Sequence, residues 1–323
     1  MTKPADLRKQ RTAIDLHPSS SPLTKDQSIH KRTIPRPGYR NMATTPKYLT
    51  GDSAAITEFI DKFDTFLFDC DGKRTVFVTN NSTKSRSEYR KKLIKLGIPS
   101  EVDDIFGSSY SAAIYISRIL KLHEDKNKVY IIGEAGIEEE LDSEGVPYIG
   151  GTDPTYRRDI SPEDFKAIAD GSMLDDDVGV VLCGLDFHIN YLKLAVGLHY
   201  LKRGAIFLAT NVDSTLPMHH DFFLGAGSVH VPLVYASGQE PLALGKPSQA
   251  MMDAVEGKFQ LDRARTCMIG DRLNTDIKFG VEGKLGGTLH VATGVNQKAD
   301  WETENPIAVP SFYADKLSDL LGA

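Results

Sequence analysis

Cysteine and tryptophan are scarce in this chain of 323 residues, which contains three cysteines and one tryptophan. Cys70, Cys183 and Cys267 lie far apart, in or beside apolar runs, and none has the close spacing of a zinc site. An odd, scattered set of thiols also differs from the paired cysteines of small secreted proteins. We therefore expect a reduced, intracellular protein located in the cytoplasm.

Long apolar runs and a strong excess of charge are missing as well. No run approaches the ~20 apolar residues that a membrane span needs, so we expect no membrane association. The formal net charge is −6, which argues against nucleic acid as a main partner. A hydrophobic fraction of 41% and a charged fraction of 25% are ordinary for a globular protein. The length suits about two domains of roughly 150 residues each.

Residues 1–48 differ from the rest of the chain in being poor in apolar residues and without periodicity. Their prolines, serines and scattered basic residues predict a disordered basic tail. A mitochondrial targeting peptide would also be basic and rich in serine. The prolines and the acidic residues Asp6, Asp15 and Asp26 argue against that alternative.

Apolar, β-branched runs alternate with helical spacing after this tail, which predicts parallel β-α-β units and an α/β fold. The predicted strands lie at about 65–68, 75–79, 128–133, 178–184, 205–209, 266–269 and 285–293. The predicted helices lie at about 54–63, 85–96, 109–122, 134–143 and 190–203, with another ending near 259 and an amphipathic one at about 313–321. Residues 153–177 read as an irregular surface excursion.

The first predicted strand leads directly into two carboxylates, Asp69 and Asp71, followed by Gly72, which permits a sharp turn. Open α/β sheets place their chemistry at the carboxyl ends of strands. Taken alone, the stretch fits an ordinary acidic turn as well as it fits a functional site. Later residues favour the functional interpretation.

Three later stretches, each after an apolar run, supply groups suited to phosphoryl transfer. Asp69 is the candidate nucleophile, which would form an aspartyl-phosphate, and Asp71 the candidate general acid and base. The Thr79 hydroxyl and the backbone N–H of Asn80 would bind the phosphate, and Lys246 would supply a positive charge.

A magnesium ion completes this hypothesis. Asp271, with Asp69 and the carbonyl of Asp71, would bind Mg²⁺, which prefers oxygen ligands. Asp276 would lie behind and order the metal's surroundings. Thr79 alone would more readily be a strand-end cap, and Lys246 alone a solvated surface lysine. It is their occurrence together, in this order, that favours catalysis.

The chain resembles the haloacid dehalogenase (HAD) superfamily, in the branch of C2-capped 4-nitrophenylphosphatases and phosphoglycolate phosphatases that includes pyridoxal-phosphate phosphatase. The resemblance extends from about residue 48 to the C-terminus, and the matching stretches include FLFDCDG (66–72), VFVTNNSTKSR (76–86), FLATNVDSTLP (207–217), LGKPS (244–248) and MIGDRLNTDI (268–277).

The resemblance implies a Rossmann-like core with a parallel sheet, formed by 49–104 and 236–323, and an inserted α/β cap of the C2 type at about 105–235. It implies Mg²⁺-dependent hydrolysis of small phosphomonoesters such as 2-phosphoglycolate or 4-nitrophenyl phosphate, and it suggests a homodimer through the cap.

The chain departs from the family pattern after Gly72, where members of the family carry about twenty further residues that form a flap and a crossover helix. A parallel crossover normally needs a dozen or more residues. A shorter connection suits an antiparallel hairpin, which would place Thr79 at the opposite end of the sheet from Asp69. Three alternatives follow.

The chain is a splice form or truncated sequence that binds phosphate or a partner without turnover, or its core is rearranged and weakly active, or another segment serves as the crossover. We predict far less phosphatase activity than in full-length relatives.

Overall fold

The computed structural model describes residues 45–68, 74–219 and 221–322. The first 44 residues of the predicted tail lie outside this range, as do Asp69 and Asp71. The tail ends earlier than expected, because Lys47–Tyr48 form a short strand, β1, which pairs in parallel with the last strand, Phe312–Ala314.

The described residues alternate between strands and helices, as the sequence predicts. The strands are β1 (Lys47–Tyr48), β2 (Thr65–Phe68), β3 (Arg74–Thr79), β4 (Ile105–Gly107), β5 (Lys128–Ile132), β6 (Tyr148–Gly150), β7 (Val178–Cys183), β8 (Ile206–Ala209), β9 (Thr215–Met218), β10 (Asp221–Leu224), β11 (Leu242–Ala243), β12 (Thr266–Gly270), β13 (Gly287–Val291) and β14 (Phe312–Ala314). The α-helices are α1 (Ser53–Lys62), α2 (Arg86–Lys95), α3 (Ser108–Ile114), α4 (Ala135–Ser143), α5 (Pro162–Asp170), α6 (Tyr191–Lys202), α7 (Ala226–Ser237), α8 (Gln249–Phe259) and α9 (Lys278–Glu282).

Seven strands form the larger sheet, in the order β1-β14-β13-β12-β2-β3-β4, and all their pairings are parallel. This confirms the predicted α/β fold with a parallel core sheet. Helices α1 and α8 cover opposite faces. Phe59 of α1 packs with Phe66 of β2, while Leu67 of β2 faces the cluster that contains Met251 of α8. The side chains of β2 are buried on both faces, as expected of a strand inside a parallel sheet.

Strands β2 and β3 pair in parallel, with Phe68 opposite Phe77, so the expected hairpin is wrong. The distance that a five-residue link can span was underestimated. A strand as short as β2 spans about 10 Å, whereas a link of five residues extends to roughly 18 Å. Because β2 and β3 are parallel, Phe68 and Thr79 lie toward the same end of the sheet.

The second sheet, in the order β11-β8-β7-β5-β6, is also parallel, and all its strands except β11 lie within the chain segment predicted as the cap. The predicted boundaries need correction at both ends. Ile105–Gly107 belongs to the larger sheet, where it pairs with β3, and Leu242–Ala243 belongs to the second sheet, where it pairs with β8. A two-stranded antiparallel hairpin, β9–β10, follows β8.

Two further expectations are wrong. The segment 153–177 contains α5, whose start is fixed by a capping box in which Ser161 accepts from the backbone N–H of Asp164 and Asp164 accepts from that of Ser161. The predicted C-terminal helix is replaced by β14 and a 3₁₀ turn at Leu317–Gly322, because the parallel edge of β13 pairs with residues 312–314. Within the described ranges, no helix is long and apolar enough to cross a membrane.

Candidate active site

The candidate site lies where β12, β2 and β3 end side by side. Ile269 pairs with Phe68, and Phe68 pairs with Phe77, so the three strands reach their carboxyl ends together. Asp271 follows β12 directly, and Thr79 is the last residue of β3. Asp69 and Asp71 follow β2 in the chain but lie outside the described residues.

Lys246 is buried at this edge, with 5% of its surface exposed. Its Nζ donates to the carbonyl oxygen of Val78 at 2.7 Å and lies 2.6 Å from Oδ1 of Asp276. It is therefore not the solvated surface lysine of the alternative interpretation. Burial is costly for a cation unless it is paired, and here the carboxylate and the carbonyl compensate for the lost water.

Asn80 connects β3 to the loop that carries Lys246. Its Oδ1 accepts from the backbone N–H of Lys246 at 2.7 Å, and its Nδ2 donates to the Lys246 carbonyl at 2.9 Å. The same Nδ2 donates to Oδ2 of Asp213 at 3.1 Å. From the sequence, only the backbone N–H of Asn80 is expected to bind phosphate. The structure gives its side chain a separate role in holding Lys246 and Asp213.

The loop after β12 fixes the two acidic residues differently. Asp276 is buried, with its Oδ2 accepting from the backbone N–H of Arg272 at 3.2 Å, and it packs directly against Gly270, where a Cβ would overlap it. Asp271 is half-buried, and its Oδ2 accepts from the backbone N–H of Val295 at 2.8 Å. Asp276 is therefore committed to Lys246, whereas Asp271 lies at the more open position of the two.

Thr79 also shows part of its alternative role as a strand-end cap. Its Oγ1 accepts from the backbone N–H of Asn81 at 3.2 Å and lies 3.3 Å from the hydroxyl oxygen of Tyr89. Five of the seven predicted residues, namely Thr79, Asn80, Lys246, Asp271 and Asp276, line one open cavity of about 240 Å³. Their chemical roles remain predictions.

Three residues of the site were missed by the sequence analysis: Asp213, Thr215 and Arg272, all in or beside stretches it had quoted. Burial raises the pKa of Asp213 above its ordinary value, while the hydrogen bond from Asn80 and the charge of Arg272 oppose this rise. Arg272 reaches from the β12 loop to the hairpin, where Nη2 donates to Thr215 Oγ1 at 3.0 Å and Nη1 to its carbonyl at 3.4 Å.

A second group of potential metal ligands consists of Glu134, Asp186 and His188, in the loops that follow β5 and β7. The two carboxylates already pair with cations, since Glu134 lies 2.7 Å from a guanidinium nitrogen of Arg157 and Asp186 lies 2.6 Å from Nζ of Lys193. This arrangement fits a structural ion-pair network.

Comparison with known protein families identifies two matching segments. Residues 58–147 match a haloacid dehalogenase-like hydrolase family, and residues 243–320 match a HAD-hydrolase-like family. The 4-nitrophenylphosphatase of Schizosaccharomyces pombe is 43% identical over 287 residues, covering 81% of this chain and 95% of that protein. Phosphoglycolate phosphatase 1A of Arabidopsis thaliana is 39% identical over 293 residues, covering 82% of this chain and 78% of that protein.

The solved structures that are similar to this chain in fold also include phosphatases. A glycerol phosphate phosphatase from Mycobacterium tuberculosis in complex with magnesium superposes with a TM-score of 0.66 at 26% identity, covering 81% of this chain and 77% of that one. A mutant thermostable 4-nitrophenylphosphatase from Geobacillus stearothermophilus gives a TM-score of 0.63 at 26% identity, covering 80% and 98%. The parallel core sheet and these similarities together show that the chain belongs to the haloacid dehalogenase-like hydrolases and is a phosphatase of that family.

Proposed function

We propose that the chain hydrolyses small phosphomonoesters through an aspartyl-phosphate on Asp69, with Mg²⁺ as cofactor. The observation that carries the proposal is the buried Lys246, whose Nζ is fixed between Val78 and Asp276 at the end of the strands next to β2. A fixed cation at this edge favours the charge that accumulates on a phosphoryl group during transfer. Its position relative to β2 suits a nucleophile immediately after Phe68.

In this proposal, each step of the reaction is carried out by side chains and backbone groups of the protein. The Asp69 carboxylate attacks phosphorus, and the ester oxygen leaves with a proton from Asp71. Asp71 then takes a proton from water, whose oxygen attacks phosphorus; the bond between Asp69 and phosphorus breaks, which restores the Asp69 carboxylate and releases inorganic phosphate. Thr79 and the Asn80 backbone N–H donate to the phosphoryl oxygens, and Lys246 balances their negative charge.

Magnesium fits the oxygen donors available at this edge. Asp271 offers a half-buried carboxylate beside the end of β2, and Asp69 and the Asp71 carbonyl would add two further oxygens. Such an ion, when bound, neutralises charge on the phosphoryl oxygens and orients them for in-line attack. Asp276 is engaged by Lys246 and the Arg272 N–H, so it supports the site from behind.

The space around the edge suggests small substrates. A second cavity, of about 80 Å³, lies between the two sheets and adjoins the first. Its walls combine amide and acidic groups with apolar side chains, including Asn211, Asp213, Leu185 and Leu216. The relatives' names include 4-nitrophenyl, phosphoglycolate and glycerol-3-phosphate phosphatases, and we propose esters of this size as substrates.

The test is turnover of 4-nitrophenyl phosphate and 2-phosphoglycolate with and without Mg²⁺, comparing the wild type with Asp69→Asn. The substitution keeps the shape of the side chain but removes the nucleophile. We expect the wild type to require Mg²⁺ and the variant to lose turnover while keeping its folded circular dichroism spectrum. An unchanged rate in Asp69→Asn would exclude Asp69 as the nucleophile.

A second candidate, a phosphate-binding protein with little turnover, is favoured by one observation. The link between β2 and β3, residues 69–73, is too short to hold a crossover helix. The 287 aligned positions shared with the S. pombe relative cover 81% of 323 residues, which is about 262. The relative therefore carries about 25 residues that this chain lacks, as a missing flap and helix would produce.

Measurements of phosphate binding and of ester hydrolysis distinguish an active phosphatase from a phosphate-binding protein with little turnover. Calorimetric titration with inorganic phosphate in the presence of Mg²⁺ measures binding, and the assay above measures hydrolysis. Phosphate binding without hydrolysis favours the second candidate, whereas turnover at the rate of the S. pombe relative, assayed side by side, excludes it.

We also propose a homodimer in the cytoplasm, assembled through the cap. Three apolar side chains of the cap surface support the assembly: Phe222 and Phe223 of β10 are 55% and 53% exposed, and Tyr235 of α7 is 92% exposed. An apolar strand at the edge of a sheet commonly pairs with another chain. Light scattering on the purified protein tests this: a dimer mass is expected, and a monomer at micromolar concentration would contradict it.

A further inference from the structure

The segment that leads from β8 into the hairpin, residues 211–215 with Thr215 as the first residue of β9, is attached to the larger sheet at two points, and we call it the bridging segment. At one point Asn80 donates to Asp213 Oδ2, while Asn211 Nδ2 donates to the Asn80 carbonyl at 2.7 Å. At the other, Arg272 donates to Thr215. Asn80 and Arg272 both adjoin the carboxyl ends of β12, β2 and β3, which we call the catalytic edge after the function proposed above.

The opposite side of the bridging segment is held by the first turn of α7. The backbone N–H of Gly225 donates to the Ser214 carbonyl at 3.0 Å, and that of Gly227 donates to the Asp213 carbonyl at 2.8 Å. Ser228 Oγ adds a bond to the Ser214 carbonyl at 2.7 Å. The backbone carbonyls of Asp213 and Ser214 are therefore bound to the cap, while the side chains of Asn211, Asp213 and Thr215 are bound to the core.

The contacts close into a ring. Lys246 pairs with Asp276, and Asp276 accepts from the Arg272 N–H. The Arg272 side chain donates to Thr215, and the backbone connects Thr215 to Asp213. Asp213 accepts from Asn80, and Asn80 accepts from the Lys246 backbone N–H. Because the ring joins the buried lysine to the first residue of β9, the placement of the hairpin depends on groups at the catalytic edge.

We propose that Arg272 is a positioning residue for the phosphatase reaction: its bonds to Thr215 hold the β9–β10 hairpin over the catalytic edge and thereby strengthen substrate binding. Arg272 lines both cavities, but both terminal nitrogens of its guanidinium donate to Thr215. This engagement favours positioning of the hairpin over direct contact with substrate. The planar guanidinium donates to two acceptors at fixed positions, and the ammonium group of a lysine does not reproduce this geometry.

The test distinguishes the effect of the two guanidinium hydrogen bonds of Arg272 from the effect of its positive charge. Arg272→Lys keeps the charge but loses the two-point bond, and Thr215→Val removes the Oγ1 acceptor from the other side. Arg203→Lys, in a surface pair with Asp176, serves as the matched control. The readouts are KM and kcat for 4-nitrophenyl phosphate, and hydrogen–deuterium exchange of the 215–224 peptide.

We expect Arg272→Lys to raise KM about tenfold, since a hydrogen bond from a charged donor contributes on that scale, and to change kcat less than about twofold. Thr215→Val should raise KM in the same direction, and the double variant should resemble Arg272→Lys rather than the product of the two effects. Exchange in the hairpin should be faster in both variants and unchanged in the control.

A wild-type KM and wild-type exchange in Arg272→Lys would overturn the proposal, as would a fall in kcat at constant KM, which would make Arg272 a substrate-contacting residue. The inference rests on the proposed phosphatase function, but the exchange experiment does not. If the wild type shows no turnover, the proposed function fails, and unchanged exchange in Arg272→Lys would separately refute the positioning role.

Discussion

Removal of the Lys246 charge is the most informative perturbation of the buried pair. Lys246→Met keeps the length and apolar stem of the side chain and leaves the Asp276 carboxylate, which is 4% exposed, without its cation. Breaking a buried ion pair from one side typically costs 3–5 kcal/mol. Asp276 retains the bond from the Arg272 N–H, so we expect the lower end, about 3 kcal/mol. That is a large part of the ~5–15 kcal/mol that stabilises a typical protein.

The assay is urea unfolding of four proteins: wild type, Lys246→Met, Asp276→Asn and the double variant. Removing both charges leaves no uncompensated ion, so the double variant should be more stable than the sum of the single losses predicts, by at least about 1 kcal/mol. Additive losses would refute the view that the two charges stabilise each other. Phosphatase activity should be lost in every variant without Lys246, including the more stable double variant.

Three further predictions concern other parts of the molecule. Gly294→Ala places a Cβ against the Asp271 carboxylate, so the Mg²⁺ concentration for half-maximal activity should rise about tenfold, whereas an unchanged value would show that Asp271 does not bind the ion. Asp213→Asn should make the folded state more stable at neutral pH, because the raised pKa of Asp213 makes its charge unfavourable there; the gain should shrink as the pH falls toward the ordinary value of 3.8, and urea unfolding at several pH values checks this. Tyr235→Asp should convert the proposed dimer to a monomer in light scattering at unchanged circular dichroism, and a persisting dimer would place the interface elsewhere.

Much of the core was predictable because its strands are short apolar runs and its helices carry local signals. The run Thr65–Phe68 is buried throughout, and α2 lies within the predicted range 85–96, with Ser85 as its cap, accepting from the Glu88 N–H. The helix α5 was missed although Ser161 and Asp164 form a capping box, because the surrounding polar residues concealed the signal. Strand β14 was missed because three residues gain their conformation from pairing with β13.

The site was predictable in part, for a different reason. Thr79, Lys246 and Asp271 each follow an apolar run, and parallel strands bring such positions to a common edge. The side-chain contacts of Asn80 and Arg272 join segments more than fifty residues apart, and no local pattern encodes such a contact. The relation between β2 and β3 was misjudged because the general length of crossovers was applied to a connection that leaves a strand of only four residues, β2.

The attachment of the bridging segment has a consequence for building chimaeras between relatives. Exchanging the insert at the ends of its sheet, near residues 128 and 243, would transfer Asp213 and Thr215 with the donor but leave Asn80 and Arg272 with the recipient. A grafted insert whose own residues do not match those two partners would leave the Lys246 loop without its tether to the graft. Swaps intended to change which ester is accepted should therefore carry positions 80 and 272 along with the insert.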